Sequence, residues 1–447
     1  MSMSLAAKTI RTPRSTVHIT ALLRVGRETI VVSGAQVVSG VAGVATVSWL
    51  STALTESQYG LYAFAVLLIN LAQPVFYGVG AALVRYYGAA LDAGTLRALL
   101  HAVWDAQRKR LGLLATVLFA LAGLCVAVQC ETLRLPTIVL VFHCAAITSS
   151  GNLCDQLHTA ARQRMPVAVH QIVFAVLKLL LAGCVVTAVS ATAMGAMVGL
   201  ALAVAGTAGL QYLSYQRRFT QLLVHLNEEN DAADWSGPVQ RFSAPFIAWS
   251  TAVIVQQAAD RLALFWSCTD SDLGLYSAIA GISFIPAMLL FQCVGQVARP
   301  IVFRHAGVEG SSESQVRALK QAGRITCFAL CGAIALTLLA VVFGQTVFDL
   351  LLAKKYAVAS PLLPLLVLNG CLFGCSQIAE LQLMVVSRME LATRIRCVFA
   401  ALGIAAALPA ALAWGVYGVS IVATVVQLLG LLTLLGFIES YRFRGQP

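Results

Sequence analysis

The chain contains twelve apolar segments, each about 20 residues long, which is the length that an α-helix needs to cross the hydrocarbon core of a bilayer. Hydrophobic residues make up 59% of the 447 residues and charged residues 11%, too little polar surface for a water-soluble protein of this size. The sequence therefore predicts an all-α integral membrane protein. The predicted segments are 29–53, 61–84, 111–129, 137–157, 167–188, 194–213, 245–267, 274–298, 325–346, 361–386, 395–413 and 416–437.

A nine-residue stretch occurs twice, and each copy joins two of the apolar segments. The copies cover residues 55–63 and 269–277 and lie 214 positions apart. At the same offset Arg85 falls on Arg299. A two-fold internal repeat in a hydrophobic chain is a known transporter pattern. We therefore predict two homologous lobes of six transmembrane helices each.

Basic residues are distributed unevenly between the two sides of the predicted bilayer. If the N-terminus is cytoplasmic, the outer loops hold only Arg134, Lys354 and Lys355. Cytoplasmic loops carry an excess of Lys and Arg, so this asymmetry predicts that both termini are cytoplasmic. It also explains most of the formal net charge of +11, which therefore does not indicate a nucleic-acid partner. The predicted inner loops hold Arg97, Arg108, Lys109, Arg110, Arg162, Arg164, Arg217, Arg218, Arg304, Arg317, Lys320, Arg324, Arg388, Arg394, Arg396, Arg442 and Arg444.

The charge pattern and the repeat together predict the domain limits. Residues 1–24 form a basic cytoplasmic segment, and no signal-peptide cleavage site follows it. The N-terminal lobe covers 25–215 and the C-terminal lobe 241–438. The polar stretch 216–240 is the predicted cytoplasmic linker, and 439–447 is the cytoplasmic tail.

Ionisable residues inside the apolar segments cost a few kcal/mol each and are candidates for function, and we single out Lys178, Asp260, Arg261 and Glu380. Lys178 lies eleven residues into its segment, about 16 Å deep at 1.5 Å per residue. Lys178 and Arg261 either line a water-filled cavity or form structural ion pairs. For Asp260 and Glu380 the alternatives are a structural partner and a coupling role. Because Asp260 and Arg261 are neighbours on one helix, they point to separate partners.

Other motifs are absent from the sequence. No His, Cys or carboxylate cluster has the spacing of a metal site, and no phosphate-binding loop of the Walker type occurs. We therefore expect no metal, no cofactor and no ATP hydrolysis.

Arg27 and Arg85 lie at the predicted cytoplasmic ends of helices, where they act either as snorkelling anchors or as substrate contacts.

Short motifs recur at the ends of the predicted helices. They are Tyr59, Gly60, Leu61 and Tyr62; Gly78, Gly80, Leu83, Val84 and Arg85; Pro245, Asp260, Arg261 and Leu262; Leu273, Gly274, Leu275 and Tyr276; Phe343, Gly344, Tyr356, Ala359 and Leu362; and Tyr417 and Gly418. From residue 25 to 437 the chain resembles the polysaccharide flippases. These are Wzx-type exporters of lipid-linked oligosaccharides within the multidrug/oligosaccharidyl-lipid/polysaccharide exporter superfamily.

The resemblance implies two six-helix lobes that form a V around a central cavity and alternate between inward-open and outward-open states. It implies a prenyl-diphosphate-linked oligosaccharide as substrate, moved from the cytoplasmic to the outer leaflet of a bacterial inner membrane. The product would serve O-antigen, capsule or exopolysaccharide biosynthesis. The cations of such a site hold the diphosphate. Lys178 and Arg261 match that role, with Arg27 and Arg85 at the mouth, and Asp260 and Glu380 are the hypotheses for ion coupling.

The expected partners are the lipid-linked oligosaccharide and membrane lipid, with a polysaccharide polymerase and export machinery as further candidates, and the chain is expected to be a monomer and not an enzyme. One alternative is a cation-coupled multidrug extruder of the same superfamily, but such a cavity would be dominated by acids. A membrane-embedded polymerase or glycosyltransferase is the other alternative. It would need paired acids or an arginine cluster in an outer loop. Asp270 and Asp272 lie in an outer turn, but they match Glu56 and Gln58 of the first repeat copy, so we interpret them as acids of the turn and not as a catalytic pair.

Overall fold

A computed structural model describes residues 14–127, 135–224, 234–306, 312–386 and 388–444. Within these ranges the chain forms helices and no strands, which confirms the predicted all-α fold. The helices are α1 (Arg14–Ala53), α2 (Glu56–Ala72), α3 (Pro74–Asp92), α4 (Leu96–Ala127), α5 (Leu135–Ala160), α6 (Arg164–Ala188), α7 (Ala193–Val224), α8 (Ser236–Ser267), α9 (Asp270–Ala306), α10 (Ser312–Leu351), a 3₁₀-helix (Lys354–Leu362), α11 (Leu363–Val385) and α12 (Met389–Arg444).

The helices give the twelve predicted membrane crossings over the described ranges. Eight helical stretches are long and apolar enough to span a bilayer, and α2 with α3 forms one more span, bent by 43°. The helix α12 is 56 residues long and supplies two crossings, because Gly415 interrupts it with φ 56° and ψ −136°. The helices α4 and α8 complete the set. A positive φ suits glycine, which carries no Cβ atom.

The second predicted segment, 61–84, is not one continuous helix. It is broken between α2 and α3 at Gln73, and Pro74 opens α3. Proline has no backbone N–H and is tolerated in the first turn of a helix but not in its interior, so the chain starts a new helix there. The break turns polar side chains on either side of it toward the middle of the molecule.

The helices pack in two groups that follow the sequence repeat. In the first group α1 packs on α6, and both α5 and α6 pack on α7. In the second group α8 packs on α12, and α11 packs on α9, α10 and α12. The molecule thus has two six-helix lobes around a central cavity. The lobe limits 25–215 and 241–438 stay predictions, and of the predicted linker only 225–233 lies outside the described residues, because α7 reaches Val224 and α8 begins at Ser236.

The two repeat copies lie against each other at one end of the molecule, which we call the hairpin end. A Cβ atom on Gly274 of α9 would lie 3.0 Å from the backbone nitrogen of Gly60 of α2 and would overlap the carbonyl oxygen of Glu56. A Cβ atom on Gly60 would overlap the carbonyl oxygen of Asp270. Because both residues are glycine, the two backbones touch directly. The lobes are closed against each other at this end.

Two further contacts hold the hairpin end together. The ammonium group of Lys355, in the 3₁₀-helix, donates to the carbonyl oxygen of Leu54, just after the end of α1. Carbonyls at a helix C-terminus lack helical partners and attract cations. The rings of Tyr59 and Tyr356 meet edge to face with centroids 6.4 Å apart. Both contacts join the first lobe to the second.

The lobes also touch along α3 and α8, away from the hairpin end. A Cβ atom on Gly78 would overlap the carbonyl oxygen of Ser243. Arg110 of α4 donates to the carbonyl oxygen of Val75 at 2.9 Å and to the Ser243 hydroxyl at 2.6 Å. The sequence placed Arg110 in a cytoplasmic loop, but it lies on a helix. Its guanidinium links the first lobe to the second, since the helix continues past the apolar segment.

Candidate functional site

Asp260 and Arg261 both line a cavity of about 220 Å³ in the second lobe. The cavity lies among α8, α9, α11 and α12, and Asn70 of α2 reaches it from the first lobe. The other polar residues in its wall are Gln256, Gln257, Tyr276, Asn369 and Gln427. The arrangement places an acid and a base in one polar chamber within the bundle.

The carboxylate of Asp260 is held by its own lobe. Its Oδ2 accepts a hydrogen bond from the Tyr276 hydroxyl, and its Oδ1 accepts from the backbone N–H of Arg261 at 2.7 Å. Tyr276 is fully buried in α9. A buried carboxylate needs hydrogen-bond donors, and these two supply them. Asp260 thus has a structural partner, and its coupling role stays a prediction.

The guanidinium of Arg261 makes no hydrogen bond or ion pair within the described ranges. It shares the wall of the cavity with Tyr276 of α9, which stands two residues after Gly274 of the hairpin end. An unpaired guanidinium in a bundle interior is costly unless water or an anion meets it. Arg261 is therefore available to a ligand.

Lys178 lies on α6 and lines none of the cavities described here. It stands one helical turn beyond Phe174, which lines a cavity of about 120 Å³ in the first lobe. Its ammonium group has no hydrogen bond or ion pair among the residues that the structure describes, and it is partly exposed. Lys178 and Arg261 therefore lie in different lobes, and the structure does not bring them into one site.

Glu380 forms a buried ion pair with Arg396, a residue that the sequence placed in a cytoplasmic loop. Arg396 lies on α12, and its Nε donates to Glu380 Oε1 at 2.7 Å. Its Nη2 donates to Ser376 Oγ at 2.7 Å and its Nη1 to Gln256 Oε1 at 3.0 Å. The loop assignment was wrong because Arg396 lies at the very start of a predicted apolar segment, where a basic residue is usually counted with the charges of the preceding loop. The pairing gives Glu380 a structural partner and leaves its coupling role a prediction.

The first lobe contains a matching pair that the sequence reasoning missed. The Nδ1 atom of His170 on α6 lies 2.6 Å from Asp155 Oδ1 on α5, and Gln211 of α7 donates to Asp155 Oδ2 at 2.7 Å. Glu380 stands 225 positions after Asp155, and Arg396 stands 226 positions after His170. In each lobe the acid lies in the fourth membrane segment and the base in the fifth. This repetition at nearly the same offset is the signal in the sequence that could have identified both pairs.

Arg85 lies outside the cavities described so far. Its guanidinium carbon stands 5.0 Å from the centroid of the Phe242 ring of α8, a cation–π contact between the lobes. The contact joins the lobes, and the two predicted roles of Arg85, a snorkelling anchor and a substrate contact, both stay predictions. The side chain of Arg27 lies outside the part of the chain that the structure describes.

A larger cavity of about 570 Å³ lies between the lobes, and we call it the carboxamide cavity. Residues of α2, α3, α4 and α5 form one side of it, and residues of α8 and α11 form the other. Its volume is within the roughly 300–1,000 Å³ typical of ligand sites. Six of its residues carry carboxamides: Asn70, Gln73, Gln107, Asn152, Gln156 and Gln377. Asn70 also lines the chamber of Arg261, so the two cavities adjoin.

Within the described ranges, no group of three or more His, Cys, Asp or Glu residues is placed to hold a metal ion. The polar groups of the two adjoining cavities are one guanidinium, one engaged carboxylate and a set of neutral amides and hydroxyls. Such groups bind and orient a polar ligand through hydrogen bonds.

The fold is similar to that of solved transporters at 13–14% sequence identity. An inward-facing multidrug resistance MATE family transporter of the MOP superfamily has a TM-score of 0.64 and 14% identity, over 93% of this chain and 99% of that one. A MOP superfamily transporter from Pyrococcus furiosus has a TM-score of 0.61 and 14% identity, over 93% and 95%. A mutant MATE transporter from Vibrio cholerae has a TM-score of 0.62 and 13% identity, over 94% and 98%.

Residues 25–305 match the family model described as polysaccharide biosynthesis protein, which confirms the resemblance drawn from the motifs. No curated protein matches the sequence. The matched residues cover more than half of the chain, and the helical fold is similar to that of the solved structures named above. The chain therefore belongs to the polysaccharide biosynthesis protein family.

Proposed function

We propose that the protein is a flippase that moves a prenyl-diphosphate-linked oligosaccharide from the cytoplasmic to the outer leaflet of a bacterial inner membrane. It works by alternating access of its two lobes and performs no covalent chemistry. The flipped lipid supplies O-antigen, capsule or exopolysaccharide biosynthesis, so a polysaccharide polymerase and export machinery are its proposed partners. The chain acts as a monomer with both termini in the cytoplasm.

The observation that carries this proposal is the guanidinium of Arg261 in its chamber. It has no hydrogen-bond or ion-pair partner in the described part of the chain, while Asp260 beside it is held by Tyr276. A diphosphate cannot cross hydrocarbon unpaired, and a guanidinium offers it charge-assisted, bidentate hydrogen bonds. Arg261 thus provides the cationic contact, and Lys178 in the other lobe supplies a second cation in a different state of the cycle.

The contacts at the hairpin end support an order of events. With both termini in the cytoplasm, the hairpin end faces outward, and it is closed by the contact of Gly60 with Gly274. The lobes also touch along α3 and α8, away from this end, so the substrate headgroup enters from the cytoplasmic side after those contacts part. Opening the hairpin end while the cytoplasmic side closes releases it to the outer leaflet. The prenyl tail stays in the surrounding lipid, because its apolar surface needs no protein cavity.

The test is the leaflet distribution of the lipid-linked oligosaccharide in cells that contain the wild-type protein, no protein, or the variants Arg261→Ala and Lys178→Ala. We expect accumulation on the cytoplasmic leaflet without the protein and with Arg261→Ala. The matched control is Lys354→Ala, which removes an exposed cation outside the cavities. An unchanged distribution without the protein, in cells that lack another flippase, would refute the proposal. Drug accumulation assays on the same strains then test the extruder alternative.

A further inference from the structure

We infer that the carboxamide cavity binds the glycan part of the substrate and selects sugars that carry no charge. The inference rests on the proposed function, because it assumes that the diphosphate occupies the neighbouring chamber of Arg261. It adds a glycan subsite and a chemical class of sugar. The site is formed by both lobes, so its occupant contacts the two bodies that move during transport.

Four of the six carboxamides have side chains without a hydrogen bond in the described ranges: Asn70, Asn152, Gln156 and Gln377. The other two are engaged, since Gln107 donates to Ser149 at 3.0 Å and Gln73 to the carbonyl oxygen of Ala145 at 3.4 Å. A free carboxamide offers two N–H donors and an oxygen acceptor. A sugar hydroxyl both donates and accepts, so each free amide can bond to a hydroxyl in either sense.

The helices place these amides at suitable spacings. Thr148, Asn152 and Gln156 recur every four residues and therefore line one face of α5. Asn70 lies three residues before the break between α2 and α3 and Gln377 comes from α11, on the opposite side of the cavity. The amides thus surround the cavity from both lobes, as a ligand with hydroxyls on several sides requires.

Within the described residues, no Lys, Arg, His, Asp or Glu lines the carboxamide cavity. The nearby acid and base, Asp155 and His170, bond to each other and line the 120 Å³ cavity, which adjoins this one through Thr148 and Asn152. Burying a charged group without a counter-ion is costly, whereas burying a hydroxyl costs little once it is hydrogen-bonded. A uronic acid would find no cation here, and an uncharged sugar would leave no charge unpaired.

Two aromatic residues complete the wall. Tyr77 of α3 and Trp249 of α8 have ring centroids 6.3 Å apart, one from each lobe. Aromatic rings offer the apolar faces on which the C–H surface of a sugar packs. The indole N–H of Trp249 is buried without a hydrogen-bond partner in the described structure. A buried donor without a partner is uncommon, and a sugar hydroxyl would satisfy it.

The experiment uses the purified full-length protein in proteoliposomes and two synthetic prenyl-diphosphate disaccharides, which differ in one hexose or the corresponding uronic acid. We expect at least 10-fold faster flipping of the neutral lipid below saturation, a difference of about 1.4 kcal/mol. Gln156→Leu should slow the neutral substrate about 5- to 10-fold, the loss of about one hydrogen bond. Gln156→Lys should raise the rate for the uronate lipid relative to the neutral one.

The matched control is Gln345→Leu, which removes an exposed carboxamide outside the cavity. If Gln156→Leu fails to fold, Gln156→Glu serves as the test instead, because it keeps the shape of the side chain. Gln156→Glu should slow the uronate lipid more than the neutral one. Equal rates for both lipids, unaffected by the Gln156 variants but stopped by Arg261→Ala, would overturn the inference and leave the proposed function standing. If the wild-type protein flips neither lipid, the proposed function itself fails.

Discussion

The buried pair of Glu380 and Arg396 makes a quantitative prediction about stability. Replacing Glu380 with Gln keeps the shape of the side chain but leaves a buried guanidinium without its counter-ion. Replacing Arg396 with Met leaves a buried carboxylate. Removing one partner of a buried ion pair costs about 3–5 kcal/mol. This is about two to four powers of ten in the ratio of folded to unfolded protein.

The double variant Glu380→Gln, Arg396→Met should be more stable than either single variant, because it leaves neither charge of the pair without its partner. It will not regain the wild-type stability in full. Arg396 also bonds to Ser376 and Gln256, at 2.7 and 3.0 Å, so methionine leaves Gln256 Oε1 without this donor and leaves Ser376 Oγ with the longer bond from Gln427 at 3.4 Å. We expect a coupling energy of about 1–3 kcal/mol between the two positions.

The assay is the unfolding temperature of the purified protein in one detergent at one pH, for the wild type, both single variants and the double variant. Coupling appears as a double variant that melts above at least one single variant. If the two losses in unfolding temperature add, Glu380 and Arg396 do not stabilise the fold as a pair, and the reasoning is refuted. Flipping by Glu380→Gln that keeps its gradient dependence would also remove Glu380 from the coupling residues.

Two other variants test the lobe contact and the first-lobe pair. Gly274→Ala should open the hairpin end, because its methyl group overlaps the carbonyl oxygen of Glu56. We expect faster labelling of Thr55→Cys by an impermeant maleimide, and no change with the control Gly209→Ala, whose methyl group meets nothing within 4 Å. Asp155→Asn should abolish the effect of an imposed proton gradient on flipping, because it removes the carboxylate that lies 2.6 Å from the imidazole of His170. A retained gradient effect would exclude Asp155 from coupling.

The transmembrane organisation could be predicted because apolar length and charge asymmetry act locally along the chain. The break at Gly415 falls between two predicted segments, and a turn at the start of the second repeat copy joins α8 to α9 as expected, although residues 270–277 of that copy already belong to α9. Arg261 was identified from the sequence because a charged residue inside an apolar segment costs free energy and is therefore a candidate for function. Each of these features is visible within about 20 residues of sequence, the length of one membrane crossing.

The contacts between helices could not be predicted in the same way. Arg396 reaches Glu380 across a helical hairpin, and only the packing of α11 on α12 brings them together. The carboxamide cavity was missed because its residues come from six helices. A Gln or Asn in a membrane helix is neutral, so a search for charged residues in apolar segments does not find it. The break before Pro74 was missed because the segment 61–84 has the length of one crossing and contains few polar residues, so it was predicted as one helix.

The meeting of the two turns at the hairpin end has the form of a two-fold interface inside one chain. Gly60 faces Asp270 and Gly274, and Gly274 faces Glu56 and Gly60, so the partners exchange under the repeat offset of 214. Such a contact is isologous, and each half carries a surface complementary to itself. Two copies of one half would meet in the same way, so the contact that closes the hairpin end depends on the symmetry between the two halves. The cavity walls do not repeat in this way, because among the residues that the structure describes it is the second half that places an unpaired arginine, Arg261, in a cavity wall.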